Sequence, residues 1–211
     1  MSPSTSSCAV ILAAGQSTRM GRDKALLPWP PGPSGSIPGG TFLSETIRLL
    51  GQLNDMVIVV AGKNLENIAP VVYAHGGVIL ENPAPERGQF SSLRIGLHEV
   101  LNRGRDTAMI TLVDRPPAAQ STLERLRCAF EMAVAKGKWA AVPEYGGQHG
   151  HPYLAGREMI EAFLRAPEDS TARDVEHRNV QRIEYVPVAD PFVSTNVDTP
   201  EQYAELVSAY K

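Results

Sequence analysis

Apolar residues in this chain follow two alternating rhythms: short unbroken runs, and longer stretches with helical spacing. Ala9-Val10-Ile11-Leu12-Ala13 is a continuous apolar run, as expected for a strand buried on both faces of a parallel sheet. Met56 to Ala61 and Thr107 to Val113 repeat that pattern, and Gly77 to Leu80 predicts a shorter strand. Between them, Thr41 to Leu53 carries Phe42, Leu43, Ile47, Leu49 and Leu50 at helical intervals. Lys63 to Ala74 places Leu65, Ile68, Ala69 and Val72 on one face, with Pro70 expected to kink or split the helix. Ser92 to Asn102 lines up Leu93, Leu97, Val100 and Leu101.

Further along, Leu123, Leu126, Phe130 and Val134 predict a helix and Trp139 to Pro143 a strand. Gly146 to Gly150 reads as a turn into an extended His151 to Ala155, and Gln181 to Val188 as the last extended segment. A final helix begins at Pro200, with Thr199 as its cap and Gln202 as the capping-box partner. Alternating strands and helices without a run of hairpin signals predict a Rossmann-like, three-layer α/β/α fold with a mostly parallel sheet. No internal repeat is visible, and residues 1–211 are read as a single domain. Met1 to Ser7 is small and polar, a flexible end. Pro28 to Gly40 holds five prolines and four glycines, so it reads as a surface loop, mobile at least in part.

Composition narrows the classes. A 43% hydrophobic, 20% charged chain of 211 residues is ordinary for a globular domain with a sizeable core. The net charge of -3 weighs against a nucleic-acid partner. Cys8 and Cys128 make no disulfide framework and read as small buried hydrophobes. No run of about 18 apolar residues occurs, so no membrane span is expected. The start lacks a basic region and a long apolar core, so a cytoplasmic protein is expected.

Ligands of open α/β sheets bind beyond the carboxyl ends of the strands. The loop there after the first strand reads Leu12-Ala13-Ala14-Gly15-Gln16-Ser17-Thr18-Arg19-Met20-Gly21-Arg22-Asp23-Lys24. Gly15 and Gly21 let backbone amides approach an anion and adopt φ values that other residues resist. Arg19 can grip an oxyanion with two parallel hydrogen bonds, and Lys24 supplies a compact charge. No Gly-Lys-Ser/Thr follows and no Gly-x-Gly occurs, which excludes a Walker loop and a dinucleotide fingerprint. Glycine spacing alone leaves a plain strand-to-helix turn equally open.

The pattern Ala13-Ala14-Gly15-x-Ser17-x-Arg19-Met20-Gly21-x-x-Lys24 resembles the signature loop of the nucleotidyltransferases that complete the molybdenum cofactor. These share a fold with the sugar-phosphate (nucleotide-diphospho-sugar) and methylerythritol-phosphate nucleotidyltransferases. Further landmarks fall at Gly88 to Leu97, Asp114 to Pro116, Gly150 to Pro152 and Asn196 to Glu201. The resemblance implies nucleotide contacts at Leu12, Ala13, Ala14, Gly15, Arg19, Lys24, Gly88, Ser92 and Asp114. It implies catalytic roles for Arg19, Lys24 and Asp114, and Mg²⁺ held by Asp114 and Asp198. Mg²⁺ suits this set, because it commonly takes one or two carboxylates plus substrate phosphates. Taken singly, Asp114 reads equally as a turn former and Asp198 as a carboxylate near a helix start.

Two alanines before the glycine are typical of the CTP-using branch, so Ala14 favours CTP over GTP. The acceptor implied is molybdopterin, with a molybdoenzyme or its chaperone as a further partner. Ser92 is expected to meet the base from the start of its helix, and Gly88 to bring its backbone to the base edge. Gly150 and His151 are expected near the acceptor; a zinc role for His149 and His151 lacks a third local ligand. Ser170-Thr171-Ala172-Arg173 departs from the family's Asp-x-Gly-Ala-Arg, and Arg115 stands where glutamine or methionine is common; Arg115 is left unassigned. Rival readings are GTP or a sugar- or polyol-phosphate acceptor, and a non-catalytic nucleotide-binding module.

Overall fold

The computed structural model describes residues 6–30 and 39–210. Its centre is an eight-stranded sheet: β1 (Ser7–Ala13), β2 (Met56–Ala61), β3 (Val78–Glu81), β4 (Thr107–Leu112), β5 (Ala140–Tyr145), β6 (Gln148–His149), β7 (Tyr153–Gly156) and β8 (Ile183–Pro187). The strands run in the order β3-β2-β1-β4-β7-β5-β6, with β8 beside β5. β3, β2, β1 and β4 are mutually parallel, β7 is antiparallel to both β4 and β5, and β8 is parallel to β5. A mostly parallel sheet was expected; the reversed β7 and the β5–β6 hairpin were not. That hairpin turns on Gly146 (φ 56°) and Gly147 (φ 77°), the paired left-handed conformation that two-residue hairpins demand.

The helices are α1 (Phe42–Gly51), α2 (Leu65–Ala74), α3 (Gln89–Asn102), α4 (Gln120–Val134), α5 (Arg157–Arg165), α6 (Ala172–Arg178) and α7 (Pro200–Ala209). Alternation along each strand divides them. Ala9, Ile11 and Ala13 face a core shared with α1, α2 and α4, while Cys8, Val10 and Leu12 face one shared with α3, α5 and α6. The period-2 geometry of a strand thereby makes three layers from one apolar run. After β3 the chain returns across the sheet through α3 to place β4 on the other side of β1. The switch point between β1 and β4 is where such sheets open a ligand crevice.

Several expectations need correction. Pro70 does not split α2, because it sits on the exposed side, where water can satisfy the freed carbonyl. Val134 is 47% exposed, and Ala133 takes its place against the core. Cys128 is exposed on α4, whereas Cys8 is fully buried. α3 begins three residues earlier than expected, behind Gly88, and α5 and α6 were not anticipated. Of the flexible end expected at residues 1–7, Ser7 is instead buried in β1, and residues 1–5 lie outside the described part. Of the Pro28 to Gly40 loop, residues 31–38 also lie outside it, but Trp29 is buried and its N–H donates to Gly40 O at 3.0 Å.

Gly96 lies where α3 crosses β1, and a Cβ there would sit 2.5 Å from Val10 Cγ1 and 3.2 Å from Val60 Cγ2. Overpacking costs about 1–3 kcal/mol, against a helix-propensity gain for alanine of roughly 1 kcal/mol. Gly96→Ala is therefore expected to lower stability by about 1–2 kcal/mol in urea unfolding, whereas Gly→Ala inside an uncrowded helix would raise it.

Candidate active site

The loop after β1 is shaped by two short 3-10 turns, Thr18–Met20 and Lys24–Leu26. Its left-handed residues are Ser17 (φ 52°) and Gly21 (φ 70°), not Gly15. A Cβ on Gly15 would meet nothing within 4 Å, so what Gly15 offers is open backbone, not a special φ. The Ser17 hydroxyl accepts from the Lys24 N–H at 3.1 Å, closing the loop on itself. Asp23 caps the second turn through Ala25 N and accepts from Asn64 Nδ2 at 2.7 Å. Asn64 also donates to Ala13 O and accepts from Gly62 N, so one amide fixes both ends of the loop. Local pattern could not single out Asn64, since two of its partners lie 41 and 51 positions away.

Lys24 is buried at 8% exposure, and its ammonium sits between two acids. Nζ lies 2.5 Å from Asp198 Oδ1 and 3.8 Å from Asp114 Oδ2; Arg19 approaches Asp198 Oδ1 at 3.2 Å from a largely exposed position. Asp114 sits in the turn just beyond β4, after Val113, and its carbonyl accepts from Val197 N at 2.9 Å, which brings the Asp198 segment alongside. Asp198 is set by α7: the Gln202 side chain accepts from its N–H at 2.7 Å, while Thr199 and Gln202 form the expected capping box. A third apolar cluster of Met20, Leu27, Trp29, Phe42, Val197 and Leu206 fastens the loop, α1 and α7 together beneath these charges.

The two carboxyls differ in environment. Burial pushes Asp114 above its usual range, against the opposing pull of Lys24 and Arg115. The Lys24 hydrogen bond holds Asp198 below its usual range, with Lys24 and Arg19 charges assisting and partial burial opposing. Among the described residues Asp114 Oδ1 is buried without a hydrogen-bond partner, so its desolvation is not offset there. Two hard carboxylates, one with an orphaned oxygen, at a strand-end crevice fit a divalent cation that completes its shell from phosphates and water. Among the described residues no group of three or more His, Cys, Asp or Glu stands together. His149 stacks on half-buried Tyr185 and faces Glu144 at 3.5 Å.

Asn82, buried at 3% exposure, holds the second segment. Its Nδ2 donates to Ser91 Oγ at 2.8 Å and to Ser92 Oγ at 2.9 Å, and its Oδ1 accepts from Ala84 N. Ser92 is the fourth residue of α3, one turn inside the helix rather than at its cap. Gly88 caps the helix at φ 92°, a conformation barred to most side chains. Arg115 leans away from the crevice, donating from one guanidinium nitrogen to Val193 O at 2.9 Å. Gly150 is a packing glycine: a Cβ would lie 2.1 Å from Val193 O. His151 is half-buried by its surface, and desolvation, with the nearby Arg115 charge assisting, lowers its pKa to about 4.

Beside this crevice a cavity of about 310 Å³ opens between α3, α5 and α6. Leu12 and Gly88 border it on one side; Tyr153, His151 and Glu176 lie on the other. Thr171 caps α6 by a reciprocal box with Asp174, so this departure from the family segment still starts a helix.

A doubly wound sheet with a glycine loop, a buried lysine and two acids at its switch point defines a nucleotidyltransferase of the nucleotide-diphospho-sugar transferase fold. The chain belongs to the MobA-like NTP transferase domain family, which it matches over residues 9–183. It is 27% identical over 210 residues to a probable molybdenum cofactor guanylyltransferase of Mycobacterium ulcerans, covering 94% of both chains. It is 22% identical over 206 residues to the molybdenum cofactor cytidylyltransferase of Escherichia coli, covering 95% of both. The crystal structure of Rv0371c from Mycobacterium tuberculosis superposes with a TM-score of 0.76 at 26% identity, covering 97% of this chain and 99% of that one. A manganese complex of Rv0371c superposes at 0.74 and 25% identity, covering 97% of this chain and 100% of that one. No helix among the described residues is long and apolar enough to cross a membrane.

Glu176 is a half-buried carboxyl in the cavity wall, its pKa raised to about 7 by desolvation with Arg173 pulling the other way. Between pH about 4.5 and 7 the folded state holds a proton that the unfolded state has released, so this group's contribution to stability falls as pH rises through that window. Glu176→Gln is expected to be more stable than the parent at pH 8, by about 1–2 kcal/mol after allowance for partial exposure. The difference should vanish near pH 4; a constant offset across the pH range would contradict this origin.

Proposed function

We propose that this chain acts as one unit to transfer CMP from CTP to the terminal phosphate of molybdopterin, releasing pyrophosphate, with Mg²⁺ as cofactor. The observation that carries the reading is the junction of Lys24 with Asp114 and Asp198 beside the β1 loop. A buried cation and two acids at that point match what an incoming triphosphate and its counter-ion need. The acceptor phosphate is already anionic at neutral pH, so no strong general base is required. Its oxygen attacks the α-phosphorus in line, and the bond to the bridging oxygen of pyrophosphate breaks.

The chain's own groups supply position and charge. Open amides around Gly15, together with Leu12, Ala13 and Ala14, line the nucleotide's path, and Arg19 and Lys24 offset the charge that grows on the leaving pyrophosphate. Asp114 and Asp198 hold the divalent ion, which when bound neutralises phosphate oxygens. The manganese complex of Rv0371c supports a divalent-ion reading.

The choice of CTP rests on Ala14 and on the polarity of Ser92. Asn82 donates to the Ser92 oxygen, which leaves the hydroxyl proton to donate. A donor there can meet O2 or N3 of cytosine, whereas on guanine it would have to meet O6 or N7 and not the N1–H and 2-amino edge. The GTP reading is favoured by the 27% identity to a guanylyltransferase against 22% to a cytidylyltransferase. Those identities are spread over whole chains, whereas base choice lies in a few loop positions, so we weigh the local chemistry more.

Asp114→Ala is expected to lower kcat by about 10²–10³-fold while CTP binding measured by calorimetry weakens far less. Turnover near that of the parent would overturn the assignment. A panel of four NTPs with molybdopterin and Mg²⁺, read by pyrophosphate release, is expected to give CTP the highest kcat/KM. Chelation should abolish the signal and added Mg²⁺ restore it; a GTP preference would select the second reading.

A further inference from the structure

The cavity beside the crevice has more chemistry than a spacer between helices needs. Its walls include Leu12, Phe90, Leu93, Ile110 and Phe163, an apolar slot suited to a flat ring. The lining also includes Arg87, which is ion-paired to Glu168, and three further polar side chains sit on β7, its approach and α6. The Tyr153 hydroxyl is buried without a hydrogen-bond partner, on a residue only 4% exposed. His151 places Nδ1 3.3 Å from Ile110 O; a carbonyl only accepts, so the neutral ring carries its proton on Nδ1 and leaves Nε2 as an acceptor. Glu176 enters from α6, and no cation is paired with it among the described residues; Arg173 acts on it only at a distance.

Above pH about 7 Glu176 is a carboxylate with no ion-pair partner among the described residues, and two parallel N–H donors on one edge of a neutral ring satisfy it. An exocyclic amine next to a ring N–H provides such an edge, and a tyrosine hydroxyl can then donate to a ring acceptor. We infer that this cavity recognises a 2-amino-4-oxo-pteridine ring of the acceptor, with Glu176 reading the amine and N3–H edge and Tyr153 donating to a ring acceptor. This rests on the reading of the chain as a molybdopterin nucleotidyltransferase, and makes Glu176 and Tyr153 its acceptor-specificity residues.

Binding of two ring systems by the full chain tests it, through quenching of their intrinsic fluorescence. Pterin presents the donor–donor edge; lumazine replaces the amine with a carbonyl and presents an acceptor–donor edge. The parent chain is expected to bind pterin about tenfold more tightly than lumazine, the scale of one lost charged hydrogen bond. Glu176→Gln should weaken pterin about tenfold and tighten lumazine, because the amide matches the acceptor–donor edge. A residue with a merely structural role could not produce that reversal. Tyr153→Phe should weaken both ligands while leaving CTP affinity unchanged, and saturating CTP should not displace pterin.

Equal affinities for the two rings in the parent, an unaltered preference in Glu176→Gln, or displacement of pterin by CTP would each overturn the inference. Failure of nucleotidyl transfer in the NTP panel with the pterin preference intact would instead refute the proposed reaction alone. Transfer with no pterin preference would refute the inference alone.

Discussion

A single ammonium group organises this molecule. Lys24 Nζ lies within ion-pairing distance of both Asp114 and Asp198, and the partners in the shorter pair are 174 positions apart in the chain. A lysine at 8% exposure is tenable only where acids replace its hydration. The fold must therefore deliver one carboxylate from the end of β4 and another from the approach to α7. The Val197-to-Asp114 backbone bond and the Trp29–Phe42–Val197–Leu206 cluster provide that delivery. The loop geometry, the third apolar cluster and the two acids are one arrangement, since loosening any of them would leave the lysine without its partners.

The two acids share a cation but not a state. Asp198 is ion-paired and favours its charged form, while Asp114 is more desolvated and has one oxygen without a hydrogen-bond partner among the described residues. Buried polar atoms without partners are rare in folded proteins and mark places where a ligand completes the set. The asymmetry fits a site in which Asp198 shapes the empty crevice and Asp114 contributes most once charge is added from outside.

The parts legible in the sequence are those written in local pattern. The run Ala9 to Ala13 predicts β1 because a doubly covered parallel strand needs apolar residues on both faces. The Thr199 and Gln202 pair predicts the start of α7 because a capping box spans only three positions. Lys24, Asp114 and Asp198 stood out through motif resemblance, and the structure brings all three together with Arg19. What escaped detection depends on distant neighbours. Asn64 and Asn82 look like loop asparagines until their amides are seen clamping Asp23 and the serines of α3. Val134 falls outside the buried face because periodicity marks a helical face without saying where the buried arc ends.

The same limit explains why the cavity was invisible. Leu12 and Gly88 come from the nucleotide-side motifs, whereas Tyr153 and Glu176 come from β7 and α6, the antiparallel strand and short helix that the alternating pattern did not foretell. Reversal of β7 is what sets Tyr153 next to Ile110 across the ladder and lets α6 close the far wall. A fully parallel continuation would need a crossover helix between those strands, covering the space that this sheet leaves open. The reversal of β7 therefore leaves a cavity next to the crevice, and a reaction that joins two substrates needs such adjacency.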